Sequence, residues 1–141
     1  MAKNILKTEI EADFHLLGIV ANTADYNMAW HINELLHIHL KRVDDHKVQF
    51  KSDKFLSTSK FIYETEYCSY TLIQNRVLDG EGFNFVLPEI KNIDYLLIIH
   101  DETDNLKILN VKSTLSKIKN VILVQNLDVS KIKSLDNLYD D

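Results

Sequence analysis

Phe14-His15-Leu16-Leu17-Gly18-Ile19-Val20-Ala21 is the stretch on which the fold turns. Its apolar character is almost unbroken, as in a strand covered on both faces, although periodicity alone leaves a helix open. We read it as the first strand. Asn22-Thr23-Ala24-Asp25 follows with capping chemistry, and Thr23 or Asp25 can accept from an orphan N–H of a helix running to about Leu40. At about 100° per residue, Met28, Ala29, Ile32, Leu36, Leu40, Tyr26 and Trp30 share one arc, with Asn27, His31 and Glu34 opposite. The spacing predicts a core helix.

Further along, Arg42 to Phe50 reads as a strand, and Lys60–Glu66 and Tyr70–Arg76 read as β-rich runs joined through Tyr67-Cys68-Ser69 as antiparallel neighbours. Asp79-Gly80-Glu81-Gly82 predicts a tight surface turn. Pro88 lacks an N–H and biases Leu87 to an extended backbone, so Leu87-Pro88-Glu89 is expected on a connector or sheet edge. Asp94 to His100 resumes as an apolar strand. Ile108, Val111, Leu115 and Ile118 then mark an amphipathic helix capped by Thr103 or Asp104, and the last strand begins at Asn120. The order predicts an α+β domain, with an antiparallel sheet carrying two main helices on one face: a ferredoxin-like, split βαβ variant with an extra hairpin. Residues 1–141 form a single domain in this reading, frayed over about 1–9 and 137–141.

Composition narrows the function. Three Gly and one Pro in 141 residues leave nothing for linkers. The net charge is −5, and the sixteen basic residues include only Arg42 and Arg76 as arginines. Nucleic-acid binding is not expected, because phosphate neutralisation and bidentate recognition both lack their usual groups. One cysteine, Cys68, suits a reducing compartment, and neither an export segment nor a membrane span is evident, so a cytoplasmic location is expected.

The spacings GxxxxGK[ST], GxSxG, HExxH and CxxC do not occur. No catalytic residues, cofactor or metal are therefore assigned. His37, His39 and His46 invite a metal reading, but residues two apart on a helix point about 200° apart, so these are read as helix-end and surface histidines. Acidic neighbours disfavour a Cys68 thiolate, which leaves a passive thiol. Asn33 falls within the apolar arc and needs a partner, either a neighbouring backbone or a carboxylate; the alternative is a ligand-orienting amide. Glu89 and Asp94 flank a connector and are read as satisfying loop N–H groups or pairing with Arg42 or Arg76.

The nine residues Leu87-Pro88-Glu89-Ile90-Lys91-Asn92-Ile93-Asp94-Tyr95 resemble the signature of the IPExxxVDY family of small bacterial proteins, with Leu87 for its isoleucine and Ile93 for its valine. Agreement extends to Leu17-Gly18-Ile19, the run from Asp25 to Asn33, and Leu72-Ile73-Gln74-Asn75-Arg76. The resemblance implies a cytoplasmic bacterial domain without an assigned activity, so no catalytic residue carries over. Of the motif positions, Pro88 fixes φ, Glu89 and Asp94 accept backbone donors, and Tyr95 inserts its ring. The expected function is a non-enzymatic protein-interaction or scaffolding module. Its partner is either an unknown protein or a second copy, met through a sheet edge or the aromatic hairpin of Phe61, Tyr63, Tyr67 and Tyr70. The alternative is a small-molecule binder or acid–base enzyme using Asn33, Glu89, Asp94 and Tyr95 around a cleft beside Trp30.

Overall fold

The computed structural model describes residues 14–50, 54–80, 82–103 and 105–139. The expected fraying of residues 1–9 lies outside them. Among the described residues the chain runs β1 (Phe14–Ala21), α1 (Asp25–Leu36), β2 (Lys41–Gln49), β3 (Phe55–Glu64), β4 (Cys68–Gln74), β5 (Arg76–Asp79), β6 (Gly82–Phe85), β7 (Tyr95–Asp101), α2 (Ile108–Leu115) and β8 (Val121–Asn126). Two 3₁₀ turns, Val129–Lys131 and Leu135–Leu138, follow. The fold is α+β. Six strands form an antiparallel sheet in the order β2-β3-β4-β7-β1-β8, and β5-β6 is a separate hairpin.

The continuous apolar runs mark strands inside the sheet. β1 lies between β7 and β8, and β7 between β4 and β1. Both helices pack on one face, where Met28, Ala29, Ile32, Val111 and Leu115 meet Leu17, Ile19, Leu72, Leu97 and Ile99. The opposite face is also closed. There Leu16, Val48, Leu56, Ile73, Leu96 and Ile98 are covered by Val86, Leu87 and Ile93 of the connector before β7 and by Leu135 and Leu138 of the last turn. Burial on both faces is why β1 and β7 lack polar alternation.

Several local expectations need correction. α1 ends at Leu36 rather than Leu40, because His37 takes the left-handed conformation (φ 57°, ψ 46°) and the N–H of Ile38 bonds back to Asn33 O. Its buried stripe is correspondingly narrow, and Tyr26 and Trp30 are 67% and 57% exposed. Its N-cap is Ala24, without a side-chain cap, and Asp25 accepts from the next N–H, that of Tyr26. α2 likewise starts after Lys107 without a side-chain cap; Thr103 is bonded to Asp101, and Asp104 lies outside the described residues. β3 begins at Phe55, earlier than Lys60. Asn137 and Leu138, expected to fray, are docked: Asn137 Nδ2 donates to Val86 O at 2.9 Å and Leu138 is buried.

The Asp79–Gly82 turn closes the β5-β6 hairpin, with Leu78 paired to Phe83. Gly82 there has φ 129°, a backbone that L side chains rarely adopt. At Gly18 the requirement is space. A Cβ on this residue would stand 2.9 Å from Ile93 Cδ1 and 3.0 Å from Leu127 Cδ1. The absent side chain lets Ile93 lie directly on β1.

Candidate functional site

The nine-residue motif is a clasp, and Asn75 is its knot. Asn75 is wholly buried where β4 gives way to β5. Its side-chain NH₂ donates to Ile93 O at 2.8 Å and Ile90 O at 3.2 Å, and its Oδ1 accepts from Leu87 N at 2.8 Å. Its backbone N–H donates to Asp94 O, and its carbonyl accepts from Val86 N. One amide thus satisfies a connector that could not otherwise be buried with its polar groups paired.

The motif side chains bind outward from this knot. Leu87 and Ile93 fill the helix-free core, while Pro88 is exposed on the connector. Glu89 accepts from Ser134 N at 2.9 Å and also from the Ser134 hydroxyl, fastening the connector to the last turns. Burial opposes its charge, but the bonds from Ser134, with help from backbone N–H groups, outweigh that and hold the carboxyl below its ordinary value. Asp94 Oδ2 accepts from Ala21 N at 2.9 Å, and its Oδ1 lies 3.8 Å from Arg76 Nη1. Tyr95 inserts its ring beneath α1 and donates its hydroxyl to Thr23 O at 2.5 Å. Burial, helped by Asp25 and Asp94, pushes that phenol well above its usual range.

Asp94 and Tyr95 do line a cleft of about 250 Å³, with Asn22, Thr23, Arg76 and Phe83 among its walls. The expected convergence of four groups does not occur. Asn33 lies at the other end of α1, where its amide accepts from Leu40 N at 2.7 Å and donates to Leu40 O at 3.3 Å, bracing the turn into β2. Glu89 faces Ser134. Trp30 stands on the solvent side of α1, edge-on to His31, and is not part of the cleft wall. Asp94 and Tyr95, each already bonded to backbone, hold the β1–α1 loop in place.

His46 departs from the surface reading, since it is wholly buried and its Nε2 lies 2.6 Å from Asn137 O. His37 and His39 are exposed. Among the described residues no group of three or more His, Cys, Asp or Glu side chains is placed to hold a metal ion. Burial first, and then Asp101, which accepts from Sγ at 3.3 Å, raises the Cys68 pKa, so the thiolate is disfavoured.

The two outer strands of the sheet differ sharply. β2 reads Lys41-Arg42-Val43-Asp44-Asp45-His46-Lys47-Val48-Gln49, and its register shifts between Val43 and His46. Asp45 there accepts from Arg42 at 2.5 Å and Ser57 at 2.8 Å, bonds that hold its carboxyl below the usual range. Charge of this kind blocks strand addition. β8 reads Val121-Ile122-Leu123-Val124-Gln125-Asn126, without a charge, and its register with β1 shifts between Val20 and Ala21, which leaves Ile122 without a counterpart. Ile122 is 75% exposed and Leu123 43%. Leu127 N donates to Leu16 O at 2.8 Å, in register with Gly18↔Gln125 and Val20↔Leu123. By the alternation of an antiparallel ladder, Val124 and Asn126 turn their N–H and C=O away from β1.

The aromatic hairpin is a weaker candidate surface. Phe61 is buried, and Tyr63 and Tyr70 pack partly against the helix-side core, leaving Tyr67 as its exposed ring. No helix among the described residues is long and apolar enough to cross a membrane. No protein-family model matches the chain, and no curated protein matches it.

Proposed function

We propose that this chain is a non-enzymatic protein-interaction module of the cytoplasm, related to the IPExxxVDY family, whose docking element is β8. The carrying observation is an uncharged outer strand with Ile122 and Leu123 exposed, in a sheet whose other outer strand is charged. Exposed apolar edges recruit strands, and folded proteins ordinarily blunt them. The motif supports a non-catalytic reading, because Asn75, Glu89, Asp94 and Tyr95 all spend hydrogen bonds on the chain's own backbone.

The test is affinity isolation from native cells with wild type and Ile122→Lys side by side. The exposed position should tolerate lysine, which an unchanged thermal melt verifies. Proteins held through β8 should be retained by wild type and lost by the variant. Identical retained sets would overturn the assignment.

A further inference from the structure

The cleft between the β5-β6 hairpin and the β1–α1 loop holds a donor and an acceptor that stand side by side without closing on each other. Arg76 lays its guanidinium on the Phe83 ring, with Cζ 3.8 Å from the ring centroid, which steadies the fork. Its Nη1 stands 3.8 Å from Asp94 Oδ1, too far for a hydrogen bond, and among the described residues the guanidinium donates none. Asp94 is held from its other oxygen, since Oδ2 accepts from Ala21 N at 2.9 Å, so the Oδ1 that faces Arg76 keeps its lone pairs. Solvent reaches both side chains, which are 42% and 22% exposed.

We infer that this pair binds a small neutral ligand by an amide edge, a carbonyl oxygen accepting from Arg76 beside an N–H donating to Asp94, as in a carboxamide, a lactam or a cyclic ureide. Geometry admits that group. The oxygen and nitrogen of one amide lie about 2.3 Å apart, so two hydrogen bonds splayed slightly outward reach partners 3.8 Å apart. Charge selects it. A carboxylate would face Asp94 and an ammonium would face Arg76, each a like-charged neighbour, whereas an amide satisfies both.

The surroundings fit the same class. Gln74 Nε2 donates to Arg76 O at 2.9 Å and the Tyr95 hydroxyl donates to Thr23 O, so neither donor competes for the ligand carbonyl. Leu78 and Phe83, 67% and 51% exposed, offer an apolar wall to the rest of the ligand. The volume of about 250 Å³ lies below that of ordinary drug-sized pockets and suits a body of one ring. None of these residues belongs to β8, so the cleft stands or falls independently of the docking edge.

Titration of the ¹⁵N-labelled full chain with benzamide, read by amide chemical shifts, tests the assignment. Shifts should saturate with a dissociation constant of about 1 mM or tighter. They should centre on Ala21 to Ala24, Arg76 and Asp94. Acetophenone, which has the same shape without the N–H, and benzoate, which has the same shape with a charge, should each bind about tenfold more weakly or worse, the loss for one unpaired polar partner. Arg76→Met, verified as folded by its melt, should weaken benzamide as much; should that variant not fold, the three ligands on wild type decide alone. Shifts that never saturate up to the solubility of benzamide overturn the inference. So does acetophenone or benzoate binding as well as benzamide, or an affinity unchanged in Arg76→Met.

Discussion

Replacing Asn75 with alanine tests the clasp where its connections are densest. The substitution leaves the buried N–H of Leu87 and the carbonyl of Ile93 without a partner, while Ile90 O keeps its bond from Ile93 N. A buried group left unpaired costs about 1–3 kcal/mol, and two in one knot are not independent, so a loss of about 2–4 kcal/mol is expected. For a domain of this size that lowers Tm by about 6–15 °C. Urea titration should show the midpoint falling at unchanged slope, because the folded surface is preserved. Asn75→Asp sharpens the test. It keeps the acceptor for Leu87 N but turns an oxygen toward two carbonyls, so it should be at least as unstable at neutral pH. Acidification protonates the new carboxyl and restores a donor, so part of its deficit relative to wild type should disappear at low pH. A loss below about 1 kcal/mol for the alanine variant would refute the idea that one amide holds the connector down.

Three further outcomes follow from the same architecture. Gly18→Ala forces Ile93 and Leu127 to retreat from the new methyl, so chemical denaturation should report a loss of about 1–3 kcal/mol. Glu89→Gln should be less stable than wild type at neutral pH. Since the Glu89 carboxyl is held below its ordinary 4.5, the difference in Tm should be full above that value and vanish as pH falls through the folded-state value. Tyr95→Phe loses the bond to Thr23 O, a cost of about 1 kcal/mol near neutrality. The raised phenol favours the folded state below pH 10, the ordinary value, and this advantage erodes as pH climbs beyond it. Alkaline absorbance titration should therefore show two of the six tyrosines, Tyr95 and the half-buried Tyr70, ionising late, with Tyr95 the later.

The interior of the fold was legible because burial writes itself into composition. The unbroken run Phe14–Ala21 and the apolar stretch before His100 announced strands covered on both faces, and the three-four-three stepping from Ile108 placed α2 on a core. The tie from Asp94 to Arg76 was also foreseeable, with two arginines to choose from. What escaped was long-range. Ser134 lies 45 residues from Glu89 and Asn137 lies 91 from His46, and no local spacing connects them. The second core was missed for the same reason, since Leu135 and Leu138 sit in an acidic, weakly apolar tail that reads as loose end. Asn75 carried no signal beyond its place in the resemblance. The start of β3 could have been found, because Leu56 and Thr58 alternate inward between exposed neighbours Phe55 and Ser57.

The way the helix-free face is closed has a consequence for biosynthesis. β1, β7 and the clasp can assemble once the ribosome has delivered Tyr95 and the residues just past it, yet Leu135 and Leu138, which complete the layer that holds Phe14, Leu16, Val48 and Leu56, emerge about forty residues later. Until then a nascent chain carries a greasy sheet surface open to its surroundings, the condition under which newborn polypeptides engage holdase chaperones. Shortening the message so that translation stops before Leu135 should thus convert an ordinary folder into a chaperone client.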